Sequence, residues 1–178
     1  MDNESKFNYA VNVVLEHEGR LSNNKKDPGG ITNWGISIRF LKAHGLDIDQ
    51  DGDVDAQDII VLTKPRAKEL YKEHWWLKYE YYLIQDNDLC TKTFDLAVNM
   101  PANSAHKLLQ LSVNRLRNKP IDVDGIIGEQ TLEAVNNECP LLIMDEFRIC
   151  AKNYYVSIVT ANPNMTWALK GWLNRAAW

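Results

Sequence analysis

The chain has 178 residues, 45% hydrophobic and 25% charged, which is enough apolar material for one packed domain or two small lobes and argues against disorder. Its net charge of −4 argues against nucleic acid as the main partner, and no stretch is long and apolar enough to insert into a membrane. Cys90, Cys139 and Cys150 are spaced for neither a disulfide framework nor a zinc site, so reduced, mostly buried thiols are expected.

Along the chain the apolar spacing is mostly helical. Phe7, Ala10, Val11, Val14 and Leu15 predict a helix over 6–17 that ends at Gly19. A polar, turn-rich segment follows to Thr32, with Asp-Pro-Gly-Gly as its strongest punctuation. Residues 31–36 suit a short strand or hairpin arm, and Ser37 an N-cap for a helix that stops at Gly45. Further helices are predicted over 56–62, 64–76, 90–99, 104–116, 129–137, 141–160 and 167–177, with a turn at 122–128. The expected fold is mainly α, a lysozyme-like α+β arrangement with a minimal β-hairpin. Six Trp and seven Tyr either fill a core or make sugar-stacking platforms.

The negative charge is concentrated. Residues 1–90 carry 16 acids against 11 Lys and Arg, whereas residues 91–178 carry 8 against 9. Six of the acids fall in DIDQDGDVDAQD, whose spacing matches a twelve-residue EF-hand loop. Asp47, Asp49 and Asp51 occupy positions 1, 3 and 5, and Gly52 sits at the sharp turn. Asp53 offers its carbonyl, Asp55 binds directly or through water, and Asp58 stands where a bidentate Glu is usual. A single loop of this kind suits a structural Ca²⁺ clip between two helices better than a sensor.

Glu18 closes the first apolar helix, Asp27 follows nine residues later in the turn, and Thr32 five after that. Glycoside hydrolysis needs one carboxyl group protonated at working pH and a second one ionised. An acid at a helix end beside apolar neighbours has its pKa raised by desolvation, and an acid in a turn rich in N–H donors stays ionised. The competing interpretation is a surface Glu and a turn-forming Asp.

EHEG followed by DPGGITNWGIS resembles the signature of glycoside hydrolase family 108, N-acetylmuramidases of phage endolysins and prophage regions. The E-x8-D-x4-T spacing is also close to that of phage-type lysozymes. DVDAQDIIVLT, the helix ending near Trp75, and FDLAVN (94–99) fit the same pattern. DVDGIIGEQTLEAV (122–135) and KGWLNR (170–175) resemble the peptidoglycan-binding domain usually attached to that family. The resemblance implies a catalytic segment over 1–90 and a C-terminal peptidoglycan-binding lobe over 91–178, packed as one unit.

It also implies that Glu18 is the general acid, that Asp27 with Thr32 positions water, and that Trp34 and Asn99 bind sugar. The substrate is then the glycan strand of peptidoglycan, cut between N-acetylmuramic acid and N-acetylglucosamine, with inversion favoured and no cofactor in the chemistry. Three positions depart from the pattern: Arg20 replaces a Gly, Met100-Pro101 replaces a small residue and Gly, and Trp34 replaces a smaller aromatic. Trp172 and Arg175 suit packing and a surface ion pair. His17, next to the acid along the helix, is not expected to face it.

The N-terminus lacks the apolar core of a signal peptide, so the expectation is a monomer made in the cytoplasm and delivered to the wall by a holin or a secretion system. A non-catalytic wall-binding module and a calcium-dependent interaction protein fit parts of the same pattern. Phage lysin and interbacterial toxin are not separated by the sequence.

Overall fold

The computed structural model describes residues 1–22 and 30–178. Helix α1 (Asn3–Glu18) begins where the Asp2 side chain accepts from the Ser5 N–H, and it buries Phe7, Ala10, Val11, Val14 and Leu15 along one stripe. Gly19, at φ 73°, turns the chain away and leaves Glu18 as the last helical residue.

Strands β1 (Thr32–Asn33) and β2 (Ile36–Ser37) form an antiparallel hairpin, pairing Thr32 with Ser37 and Asn33 with Ile36. The two loop residues, Trp34 and Gly35, both have positive φ, as the twist of a two-residue hairpin requires. The buried Asn33 amide donates to the Ile59 and Leu62 carbonyls, which ties the hairpin to the helix after the acidic loop. Ser37 caps α2 (Ile38–His44), which ends at Gly45 in the left-handed region.

The acidic loop leads into α3 (Ala56–Val61) through a capping box of Asp55 and Asp58. Helix α4 (Lys64–Tyr71) runs on as a π-helical turn over Lys72–Leu77. Trp76 ends fully buried, while its neighbour Trp75 is half-buried and stacks on Phe40 at 5.0 Å. Trp76, Phe7, Phe94 and Tyr81 form an aromatic core with centroids 5.5–6.5 Å apart, so several of the aromatics serve packing.

Helix α5 (Asn87–Asn99) is central and packs against α1, α6 (Ala102–Asn114) and α8 (Pro140–Ala161). The 122–128 turn is held by the buried Gln110 amide, which accepts from the Gly125 N–H and donates to Asp124, Ile126 and Thr131. Helix α7 (Glu129–Asn137) follows this turn, and α9 (Thr166–Ala177) folds back along α8. Among the described residues the fold is mainly α with one minimal hairpin, as the sequence implied.

One buried cation orients α9. The Lys92 ammonium, on α5, is fully buried and donates to the carbonyls of Arg175 and Ala176, the open end of α9. Lys92→Met removes the donor from two carbonyls, which costs about 1–3 kcal/mol. The expected result is a melting temperature several degrees lower; an unchanged one would show that α9 holds its place without the cap.

Candidate active site

Three helices bring charge to one point. Glu18 comes from the end of α1, Asp95 from the middle of α5 and Arg175 from the last turn of α9. Arg175 Nη2 lies 2.7 Å from Glu18 Oε1, and Nη1 lies 3.6 Å from Asp95 Oδ1. The first contact is an ion pair rather than an aligned hydrogen bond, since the buried Oε1 has no well-directed donor. Arg175 is 6% exposed and Asp95 fully buried, so the expected surface ion pair is instead an interior one.

Asp95 also takes His17 Nδ1 on Oδ1 at 2.9 Å, and its Oδ2 has no partner among the described residues. His17 and Glu18 are therefore linked through Asp95 and Arg175 on other helices rather than by facing one another along α1.

Burial pushes the Glu18 carboxyl above its ordinary range. The Arg175 charge opposes the shift, and the Asp95 charge adds to it. The partial negative charge at a helix C-terminus acts in the same direction as burial. Close packing holds the carboxyl in place. A Cβ at Gly35 would lie 2.6 Å from Glu18 Cγ and 2.8 Å from its Cβ, and would strike the Tyr71 hydroxyl. That hydroxyl donates to the Trp34 carbonyl at 2.9 Å, so the hairpin tip, Tyr71 and Glu18 are locked together.

Asp27 lies outside the described residues. Thr32 is in β1, where its backbone pairs with Ser22 in both directions, so both flanks of the segment carrying Asp27 are anchored. Trp34 sits at the hairpin tip with the cations of Arg20 and Lys64 each 5.7 Å from its ring. Two of the three departures from the family pattern, Arg20 and Trp34, thus contact each other.

Asn99 ends α5, and its Oδ1 accepts from the Tyr155 hydroxyl at 2.8 Å. It borders two cavities. One, about 330 Å³, holds His17 and Glu18 on one side and α9 residues on the other. The second, about 530 Å³, runs past Phe40, His44 and Trp75 and includes Met100 and Pro101, the third departure. Trp34 lines neither. A further cavity of about 510 Å³, near Tyr9 and Arg148, contains none of the expected site residues.

The acids of the 47–58 loop converge as well. Carboxylate oxygens of Asp47, Asp49 and Asp58 lie within 4.8 Å of one another, as do those of Asp53, Asp55 and Asp58. Asp58 is buried and accepts from the N–H groups of Ile48, Asp49 and Asp55. Burial would raise its carboxyl, but these backbone donors together bring it below the ordinary value. Asp47 accepts from the Gln50 and Gly52 N–H groups.

The raised pKa of Glu18 has a consequence for stability. The folded chain holds this proton more tightly than the unfolded chain, so ionising Glu18 in place costs stability. That cost is absent below the ordinary glutamate pKa and grows as pH rises through the raised one. In thermal melts, Glu18→Gln should therefore gain on the wild type as pH rises above the ordinary glutamate value of about 4.3. A difference that stays constant as pH rises, or moves the other way, contradicts the shift.

Residues 11–100 match the family model for glycosyl hydrolase 108, and residues 104–177 match that of a predicted peptidoglycan domain. No curated protein matches the chain. A solved structure, SagA of Brucella abortus, is 28% identical, with a TM-score of 0.79 over 98% of this chain and 91% of that chain. The first match spans half of the sequence and holds Glu18, Asp95 and Asn99, while Arg175 lies in the second. The chain belongs to glycosyl hydrolase family 108, a lysozyme-like glycoside hydrolase of peptidoglycan whose C-terminal half is a peptidoglycan-binding domain.

Proposed function

We propose that this protein is an N-acetylmuramidase, cutting the β-1,4 bond between N-acetylmuramic acid and N-acetylglucosamine. The observation that carries the reading is Glu18, an acid with a raised pKa at the junction of a helix end, a hairpin and a cavity. In this role Glu18 protonates the glycosidic oxygen as the bond breaks. Arg175 and Asp95 position and tune it. Asp27, helped by the Thr32 hydroxyl, holds and activates water on the opposite face, and the product anomer is inverted. Inversion corresponds to carboxyl groups roughly 6.5–9.5 Å apart and retention to roughly 5–5.5 Å. The chain acts as a monomer and reaches the wall through a holin or a secretion system.

The six acids of the 47–58 loop are proposed to hold one Ca²⁺ as a structural clip. The donor set fits a hard cation, because several carboxylate oxygens already converge and backbone donors hold Asp47 and Asp58 in place. The ion would brace the link between α2 and α3 and takes no part in bond cleavage. Calcium should raise the melting temperature and a chelator reverse the gain, with no new exposure of apolar surface. Melting temperatures that ignore calcium would remove the clip.

Mass spectrometry of digested sacculi tests the enzyme. New reducing-end muramic acid is expected from the wild type, and a loss of roughly 10²–10⁴ in rate from Glu18→Gln. Sedimentation with sacculi without new reducing ends would mean a wall-binding module instead. The tuning network has its own signature. A general acid works only while protonated, so its pKa sets the alkaline limb of the rate profile. Asp95→Asn removes a charge that keeps the Glu18 proton on, and the limb should move to lower pH; Arg175→Gln should move it to higher pH. Limbs that stay in place would sever Asp95 and Arg175 from the chemistry.

A further inference from the structure

The 330 Å³ cavity beside Glu18 is walled on one side by α9, a helix of the C-terminal half. Trp167, Ala168, Gly171, Trp172 and Arg175 fall on one helical face there. The charged member of that face is accounted for by its pairing with Glu18. Ala168 is buried and Trp172 packs on the core, but two members are not accounted for: Trp167 leaves a large aromatic ring 44% exposed, and Gly171 interrupts a helix where residues with side chains fold better. Packing does not call for this glycine, since a Cβ built on it has nothing within 4 Å and its backbone needs no positive φ.

The polar group in the cavity is also defined. Asn99 Oδ1 accepts from the Tyr155 hydroxyl, which fixes the amide and leaves Nδ2 as its donor for a ligand, and the Tyr155 ring stacks on Trp172 at 5.3 Å and 19°. A ligand here meets aromatic surface, an open floor at Gly171 and one oriented amide donor, with the acid at its edge.

We infer that Trp167, Gly171 and Trp172, together with Asn99, form a sugar subsite for one N-acetylated hexosamine of the glycan strand, so that the C-terminal half supplies part of the catalytic cleft. The pyranose lies on aromatic surface, and its acetamido carbonyl accepts from Asn99 Nδ2. Asn99 also borders the 530 Å³ cavity, so the strand continues past it toward Trp75 and Phe40. The subsite rests on the muramidase reading for the identity of its sugar, and its test is separate from cleavage.

The probe is a tetrasaccharide of alternating N-acetylglucosamine and N-acetylmuramic acid, titrated calorimetrically into the full chain carrying Glu18→Gln, so that binding is measured without turnover. Adding Gly171→Phe fills the floor from a position where a Cβ meets nothing within 4 Å, and adding Trp167→Ala removes an exposed ring. Both should melt as the parent does and bind at least about tenfold more weakly. A folded Gly171→Phe variant with parental affinity overturns the subsite, as does a parent that does not bind the tetrasaccharide. Gly171-dependent binding by a chain that releases no reducing ends from sacculi would support the subsite and remove the muramidase reading. Cleavage by the wild type with unchanged affinity in Gly171→Phe would do the reverse.

Discussion

The buried guanidinium of Arg175, held between Glu18 and Asp95, is the constraint on which the rest of the site depends. An arginine cannot give up its proton to escape burial, so its charge has to be matched where it sits. Two carboxylates offer more negative charge than one guanidinium needs, and this excess makes Glu18 adjustable. When Glu18 takes up a proton, Asp95 still balances the arginine. When Glu18 ionises, it does so partly desolvated and against the charge of Asp95. A buried pair gains little net stability over apolar packing, but removing one partner strands the other. Such a group is therefore better suited to setting a proton affinity than to holding the fold together.

Much of the architecture serves to keep that arrangement in register. Lys92 caps the end of α9 that carries Arg175, Tyr71 and Gly35 confine the Glu18 side chain, and Tyr155 fixes Asn99 while bracing Trp172. The Lys92 and Tyr155 contacts link the segment matched by the hydrolase model to the segment matched by the peptidoglycan domain. The two matched segments consequently meet at Glu18, through its pairing with Arg175.

The helices were legible because their apolar stripes recur every three or four residues and some ends carry ordinary signals: Ser37 as an N-cap, Gly19 and Gly45 as stops. Glu18 was legible from its place at a helix end. Asp95 stands inside the FDLAVN segment, and its one signal was a charge embedded among Phe94, Leu96 and Ala97, which only burial could explain. Arg175 was misjudged for a physical reason: a lone charge on an amphipathic helix normally faces water, and what draws this one inside is a carboxylate more than 150 residues away. The π-helical turn that sends Trp75 and Trp76 to different environments has no sequence marker of its own. Asp27, the second acid, is outside the described residues, and its role rests on spacing and family resemblance.

The central claim is that the surroundings of Glu18 keep it protonated beyond the usual range. Carbon-13 NMR titration of the Glu18 side-chain carboxyl in the full-length chain, assigned by its loss in Glu18→Gln, measures this directly. The account predicts a midpoint above the ordinary glutamate value of about 4.3. A midpoint at or below that value would mean that Arg175 outweighs burial and Asp95, and that Glu18 is not the acid proposed here.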